Sequence, residues 1–281
     1  MISTVASSAH SDSTDASACR RVFEGAAFVG LWMSLGVVFH LDANRYLLVG
    51  IPLTVLFQRL IRKQPMRALW LREPVPFHLD KNGWRWMIFL ASVPFSITVA
   101  AIRRGHIVAA LWGGSAVAGA AAASYAIRSF HRGTTRALLL CAVSAGGMGV
   151  AIMVGVALLG HHGTGTTLVG GAQIFLVSLF EYFPALFLLE EVTFRGMLDA
   201  HLYHPGESRP WISAIIVSAL WGLWHIPIVS RTPVLTTAVY LVVVHCAIGV
   251  PLSFFWRQSG NLAVPAFSHA LIDAARNMLL G

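Results

Sequence analysis

Three groups of ionisable side chains sit where chemistry could be done: Glu190-Glu191-Val-Thr-Phe-Arg195, Trp221-Gly-Leu-Trp-His225 and His269-Ala-Leu-Ile-Asp273. Carboxylates and imidazoles gathered in one layer are the parts of a water-activating hydrolytic site, because either group can take a proton from water. Each group lies within an apolar stretch. A charge at the centre of a membrane costs roughly 2.5–3.5 kcal/mol on insertion scales. A chain that carries several must pair them, turn them to a wet cavity or use them.

The spacing sorts the candidates. Glu190 and Glu191 are adjacent, so an α-helix points them about 100° apart. Glu191 and Arg195 stand at i,i+4, the spacing of a helical ion pair, which leaves Glu190 free for another task. The competing reading, interfacial residues snorkelling at a helix end, is opposed by the flanks. Leu186 to Leu189 precede the pair and Gly196 to Ala200 follow it. A lone histidine in an apolar helix is commonly a packing residue. His225, however, follows Trp221 by one turn, where the indole could wall a pocket, and Pro227 removes a backbone donor beside it. His269 and Asp273 share a helix face; the pair is either structural or one in which the carboxylate holds the imidazole in orientation. Asn277, one turn further, is a candidate for polar contacts in the pocket. Glu24, Glu181, His40 and His245 are expected to be interfacial or structural. Depth favours a site: Glu190 and His225 each lie about 20 Å, by helical rise, from the connection between His204 and Pro210. His269 matches that level less well unless the 257–262 loop dips inward.

The elements that must position these residues are membrane helices. The 281 residues are 56% hydrophobic and 11% charged, against about 25% charged in soluble domains. An all-α, polytopic transmembrane bundle is therefore expected, with about eight to nine helices near 23–41, 46–61, 86–102, 106–127, 137–160, 171–200, 211–229, 234–256 and 262–280. The 46–61 run is short and 86–102 contains Pro94. The net charge of +8 does not indicate nucleic acid, because the basic residues fall between apolar runs in the positive-inside pattern. With the N-terminus cytoplasmic and nine spans, fifteen of the 20 Lys and Arg fall inside, and the 62–85 loop dominates that count. Residues 1–20 read as a disordered tail without signal-peptide features, 21–136 as N-terminal transmembrane helices, and 137–281 as the core bearing the three groups. The Gly- and Ala-rich runs at 113–126 and 144–160 read as close packing faces. Cys19, Cys141 and Cys246 offer neither a disulfide framework nor a metal motif.

Taken in order, the three groups resemble the CPBP family of intramembrane endopeptidases, which includes type II CAAX prenyl proteases and bacteriocin-processing or self-immunity proteins. That pattern is Glu-Glu-x-x-x-Arg, Phe-x-x-x-His and His-x-x-x-Asp/Asn on separate helices. Here Trp221 stands where the family has Phe, and the likeness covers roughly 175–280. The resemblance implies a multi-pass protein of a bacterial cell membrane. It would hydrolyse a peptide or membrane-protein substrate, including C-terminal tails, within the lipid bilayer. It implies that Glu190 activates the water with help from His225, that His269 and Asp273 position the water or stabilise the oxyanion, and that Glu191 and Arg195, with Trp221, support them. Glu190, His225 and His269 could hold a zinc ion with one open position, or the same residues could act without metal. Neither His-Glu-x-x-His, Gly-x-Ser-Gly nor Gly-x-Gly-Asp is present. Two alternatives stay open: a non-catalytic immunity or scaffold protein of the same fold, and a transporter with a proton relay through the same groups.

Overall fold

The computed structural model describes residues 3–73, 78–160, 167–229 and 233–280. Nine helices form the bundle among the described residues: α1 (Ser3–Val38), α2 (Ala43–Leu56), α3 (Lys81–Arg103), α4 (Ile107–Ile127), α5 (Arg132–Leu159), α6 (Leu168–Leu202), α7 (Pro210–Ile228), α8 (Val234–Ser259) and α9 (Ala263–Leu280). Seven are long and apolar enough to cross a membrane; α2 and α9 are the exceptions. α2 has only 14 residues before one π-helical turn at Phe57–Ile61. α9 carries Asp273 and Arg276 and is packed inside the bundle, with Ala263, Val264, Ala266, Ala270 and Ala274 all buried. The helix of α1 begins at Ser3, although its spanning part starts at Ser17. The backbone of the expected tail is thus largely helical, as when an established helix propagates through Ala- and Ser-containing sequence.

Helix starts follow local chemistry. Asp42, Asp80 and Thr167 each accept a hydrogen bond from a backbone N–H in the first turn of α2, α3 and α6, and His131 does the same for α5 through Nδ1. α8 ends at Gly260, which adopts a left-handed backbone at φ 63°, where a side chain is disfavoured. The helices alternate in direction, so loops far apart in sequence meet on one face. Arg72 N donates to Gly260 O, Leu262 N to Trp70 O and Asn261 Nδ2 to Ala126 O. Arg62 reaches the carbonyls of Gly196 and Ala200; burial holds its pKa down to about 10. The basic loops therefore share a face. Residues 74–77 of the 62–85 loop, and Arg231, lie outside the described residues.

The outer surface is apolar, as a lipid-facing surface must be: Ile88, Phe95, Leu139, Val143 and Leu158 are exposed. The core is continuous from Phe28 to Ile272. At one end Trp32 donates to Tyr46 O, and Tyr46 donates to Trp224 O, which knits α1, α2 and α7. The small-residue runs pack as expected at some positions. A Cβ on Gly119 would lie 2.0 Å from Pro184 O, so α4 meets α6 backbone to backbone. Gly114 and Gly147 instead face open space.

Candidate active site

The first group does not sit on an α-helix. Residues Phe187–Asp199 of α6 form wider π-helical turns, a geometry that is rare and concentrated at functional sites. All but Leu188 in that stretch are buried. Glu191 and Arg195 nevertheless pair as expected at 3.1 Å, and both are fully buried. Glu191 Oε1 also accepts from His269 Nδ1 at 2.8 Å, which joins α6 to α9. Glu190 points elsewhere: its Oε2 accepts from Trp221 Nε1 of α7 at 3.0 Å.

Trp221 is the hub. Its ring lies 4.1 Å beneath the Arg195 guanidinium, and meets His269 at 4.9 Å, His225 at 5.9 Å and His245 at 4.5 Å, each edge to face. A residue expected to wall a pocket thus holds the carboxylate and borders three imidazoles. Phenylalanine, the residue of the resembled pattern, could make the ring contacts but not the hydrogen bond to Glu190.

The three histidines are held alike. His225 Nδ1 donates to Trp221 O at 2.9 Å, His245 Nδ1 donates to Leu241 O at 2.7 Å, and His269 Nδ1 donates to Glu191. In the neutral tautomer this leaves Nε2 of each as an acceptor. Gly222 is what lets α7 and α8 approach closely enough: a Cβ there would sit 2.7 Å from Leu241 O. The His225 and His245 rings are 4.3 Å apart as a result. His245 was expected to be interfacial or structural, and it had no partner at helical spacing to signal otherwise. Its ring neighbours, Trp221 and His225, come from another helix, which spacing within one helix cannot reveal.

Two further expectations need correction. The His269–Asp273 pair does not close: His269 turns to Glu191, and Asp273 pairs with Arg276 Nη1 at 3.0 Å. Arg276 one turn on is the nearer and stronger partner, a fully charged group rather than an imidazole. Asp273 still lies within electrostatic reach of Glu190, as does His269. Asn277 donates to Ser178 Oγ of α6 and accepts from Arg276, so it serves helix packing. Glu24, expected to be interfacial or structural, pairs with Arg20 at 2.8 Å and with His201 at 3.0 Å. The i,i+4 position of Arg20 was visible in the sequence. His40 forms an exposed turn at the end of α1.

The imidazoles, each tied through one nitrogen to a carbonyl or carboxylate, have the outer-shell arrangement of metal ligands. The full set does not assemble, however. Among the described residues no three His, Cys, Asp or Glu side chains converge as ligands, and one oxygen of Glu190 is committed to Trp221. Glu190, His225 and His269 as placed do not fit a zinc ion.

Residues 171–275 match the family described as type II CAAX prenyl endopeptidase Rce1-like. The match spans 105 of the 281 residues. It runs from α6 to just beyond Asp273 and contains every residue of the three groups. No curated protein matches the chain, and no solved structure does. The matched segment lies in a polytopic helical bundle, seven of whose helices are long and apolar enough to cross a membrane.

Proposed function

We propose that the chain is an intramembrane endopeptidase in which Glu190 is the general base. The observation that carries this reading is the convergence of Glu190, His225, His245 and His269 on Trp221, inside a bundle whose outer surface is apolar. Glu190 holds one carboxylate oxygen through the indole N–H and has the other for water. His225, anchored through Nδ1, presents Nε2 as a second acceptor that orients that water. As the water oxygen bonds to the peptide carbonyl carbon, its proton passes to Glu190. In its protonated form His269, braced by the Glu191 carboxylate, donates to the developing oxyanion. Glu190 then returns the proton to the amide nitrogen as the C–N bond breaks, which gives a carboxylic acid and an amine. Asp273, fixed by Arg276, adds negative potential beside the base and does not hold His269.

The substrate is a peptide segment of a membrane-associated protein. The basic loops on the face shared by residues 62–73, 128 and 257–261 support a cytoplasmic placement of that face and of the N-terminus. Peptide mapping of membrane proteins from cells with the native chain and with Glu190→Gln tests the activity. Cleavage products should vanish in the variant while its level in the membrane is unchanged. Identical peptides in both, or pH-driven ion flux without peptide release, would replace the peptidase reading with a scaffold or a relay. Turnover retained in the presence of a strong chelator would support the metal-free route.

A further inference from the structure

A cavity lies outside this site, on the basic face. It has a volume of about 630 Å³ and opens between the 71–73 loop, the start of α5 and the end of α8. Arg72, His131, Arg136 and Arg257 line it; Glu73 is the one acidic side chain in the lining. These cations are not equivalent. Arg257 is committed to Asp199, with its guanidinium at 2.6 Å and its Nε at 3.0 and 3.1 Å. Arg72 and Arg136 have no carboxylate within ion-pair distance among the described residues.

Arg72 is fixed rather than loose. Its backbone N–H bonds Gly260 O, its Nη1 donates to Arg257 O at 3.3 Å, and its guanidinium stacks over Tyr203 at 5.3 Å and Trp256 at 5.6 Å. Burial lowers its pKa; Asp199 opposes that, and the nearby Arg257 charge adds to it. A half-buried guanidinium of this kind is an anion-binding group whose counter-charge is incomplete. His131 accepts from Gly133 N and Thr134 N through Nδ1, so in its neutral form the N–H sits on Nε2 and can donate.

The cavity has a second character. Leu140 of α5 lines it, and Leu139, Leu140 and Val143 of that helix are exposed. A basic basin at the membrane surface that runs onto an apolar helix flank fits a molecule with an anionic head and an apolar tail. Basic pockets between membrane helices accommodate anionic headgroups in this way.

We propose that this cleft binds the phosphate headgroup of an anionic membrane lipid, held by Arg72 and Arg136, with an acyl chain lying along Leu139–Val143 of α5. The site stands apart from Glu190, and its test does not depend on peptidase activity.

The test is native mass spectrometry of the full chain from micelles containing equal dioleoyl-phosphatidylglycerol and dioleoyl-phosphatidylcholine. The native chain should retain phosphatidylglycerol preferentially. Arg136→Gln, an exposed side chain whose loss threatens no packing, should cut that preference about fivefold, and Arg72→Gln/Arg136→Gln about twenty-five-fold, as about 1 kcal/mol per basic residue at the surface implies. Lys81→Gln/Arg85→Gln lies at the start of α3, outside the cleft, and should leave the preference nearly intact. An equal loss in that control would mean diffuse attraction to the whole basic face and overturn the site. Inorganic phosphate should neither displace the lipid nor raise thermal stability as much as phosphatidylglycerol does. If phosphate matches the lipid in both assays, the ligand is a soluble anion and the lipid proposal fails. No preference in the native chain overturns it outright.

Discussion

Helix α3 and the π-helical part of α6 place their charges in opposite ways. In α3 the charged residues Lys81, Arg85 and Arg103 lie toward the ends, and Trp84, Ile88, Phe89, Phe95 and Ile102 face outward. In Phe187–Asp199 the charged residues are interior and buried: Glu190, Glu191, Arg195 and Asp199. Every one of these four has a partner, and three of the helices that surround α6 supply them: Trp221 from α7, Arg257 from α8 and His269 from α9. Helix α3 could stand in lipid with little help. The α6 segment is tenable only once α7, α8 and α9 are assembled around it, because a bare charge in hydrocarbon is costly. A segment that depends on three neighbours for its charges is also one whose charges those neighbours can aim.

Substitutions can break this contrast at graded cost. Glu190→Gln should lower peptide hydrolysis by about 10²–10⁴-fold, since the amide keeps the size but cannot accept the proton; unfolding in detergent should be little changed. A fully active Glu190→Gln chain would move the base elsewhere. Glu191→Gln should cost about 3–5 kcal/mol of stability, because it strands Arg195 and His269 in the core. If it unfolds like the native chain while losing all turnover, the two glutamates have exchanged roles. Trp221→Phe restores the residue of the resembled pattern and removes the indole N–H. It should cost about 1–3 kcal/mol through the unsatisfied Glu190 oxygen, as measured by denaturant midpoint. His245→Gln should reduce kcat about tenfold at unchanged stability, within the range for groups that support reacting ones; native kcat would return His245 to a packing role. Phe95→Leu, on the exposed side of α3, should fall within about 0.5 kcal/mol of the native chain. A large effect there would mean that α3 is not the self-sufficient helix described.

The sequence was informative where one helix carries the whole signal. The span at α3 and the Glu191–Arg195 pair both follow from spacing along a single element, and the structure has each. It was silent where the signal lies between helices. His245 looked isolated because its neighbours, His225 and Trp221, are on α7. Asp199 drew no attention, although it meets Arg257 from 58 residues away. The His269–Asp273 reading failed because spacing names the faces a residue shares and not which of several partners wins; Glu191 and Arg276 both outcompeted the expected bond. The π-helical turns had no signature in composition, and they leave the i,i+4 pair intact, so the pattern fits either geometry.

The close approach at Gly222 has a mechanical consequence. With a backbone carbonyl of α8 resting against a residue without a side chain on α7, those two helices pack backbone to backbone at the level of the imidazoles. His225 and His245 ride on a single stiff post. On the proposed reading, a tether between α7 and α8 at that level should leave peptide hydrolysis unchanged, because it joins two helices already in contact.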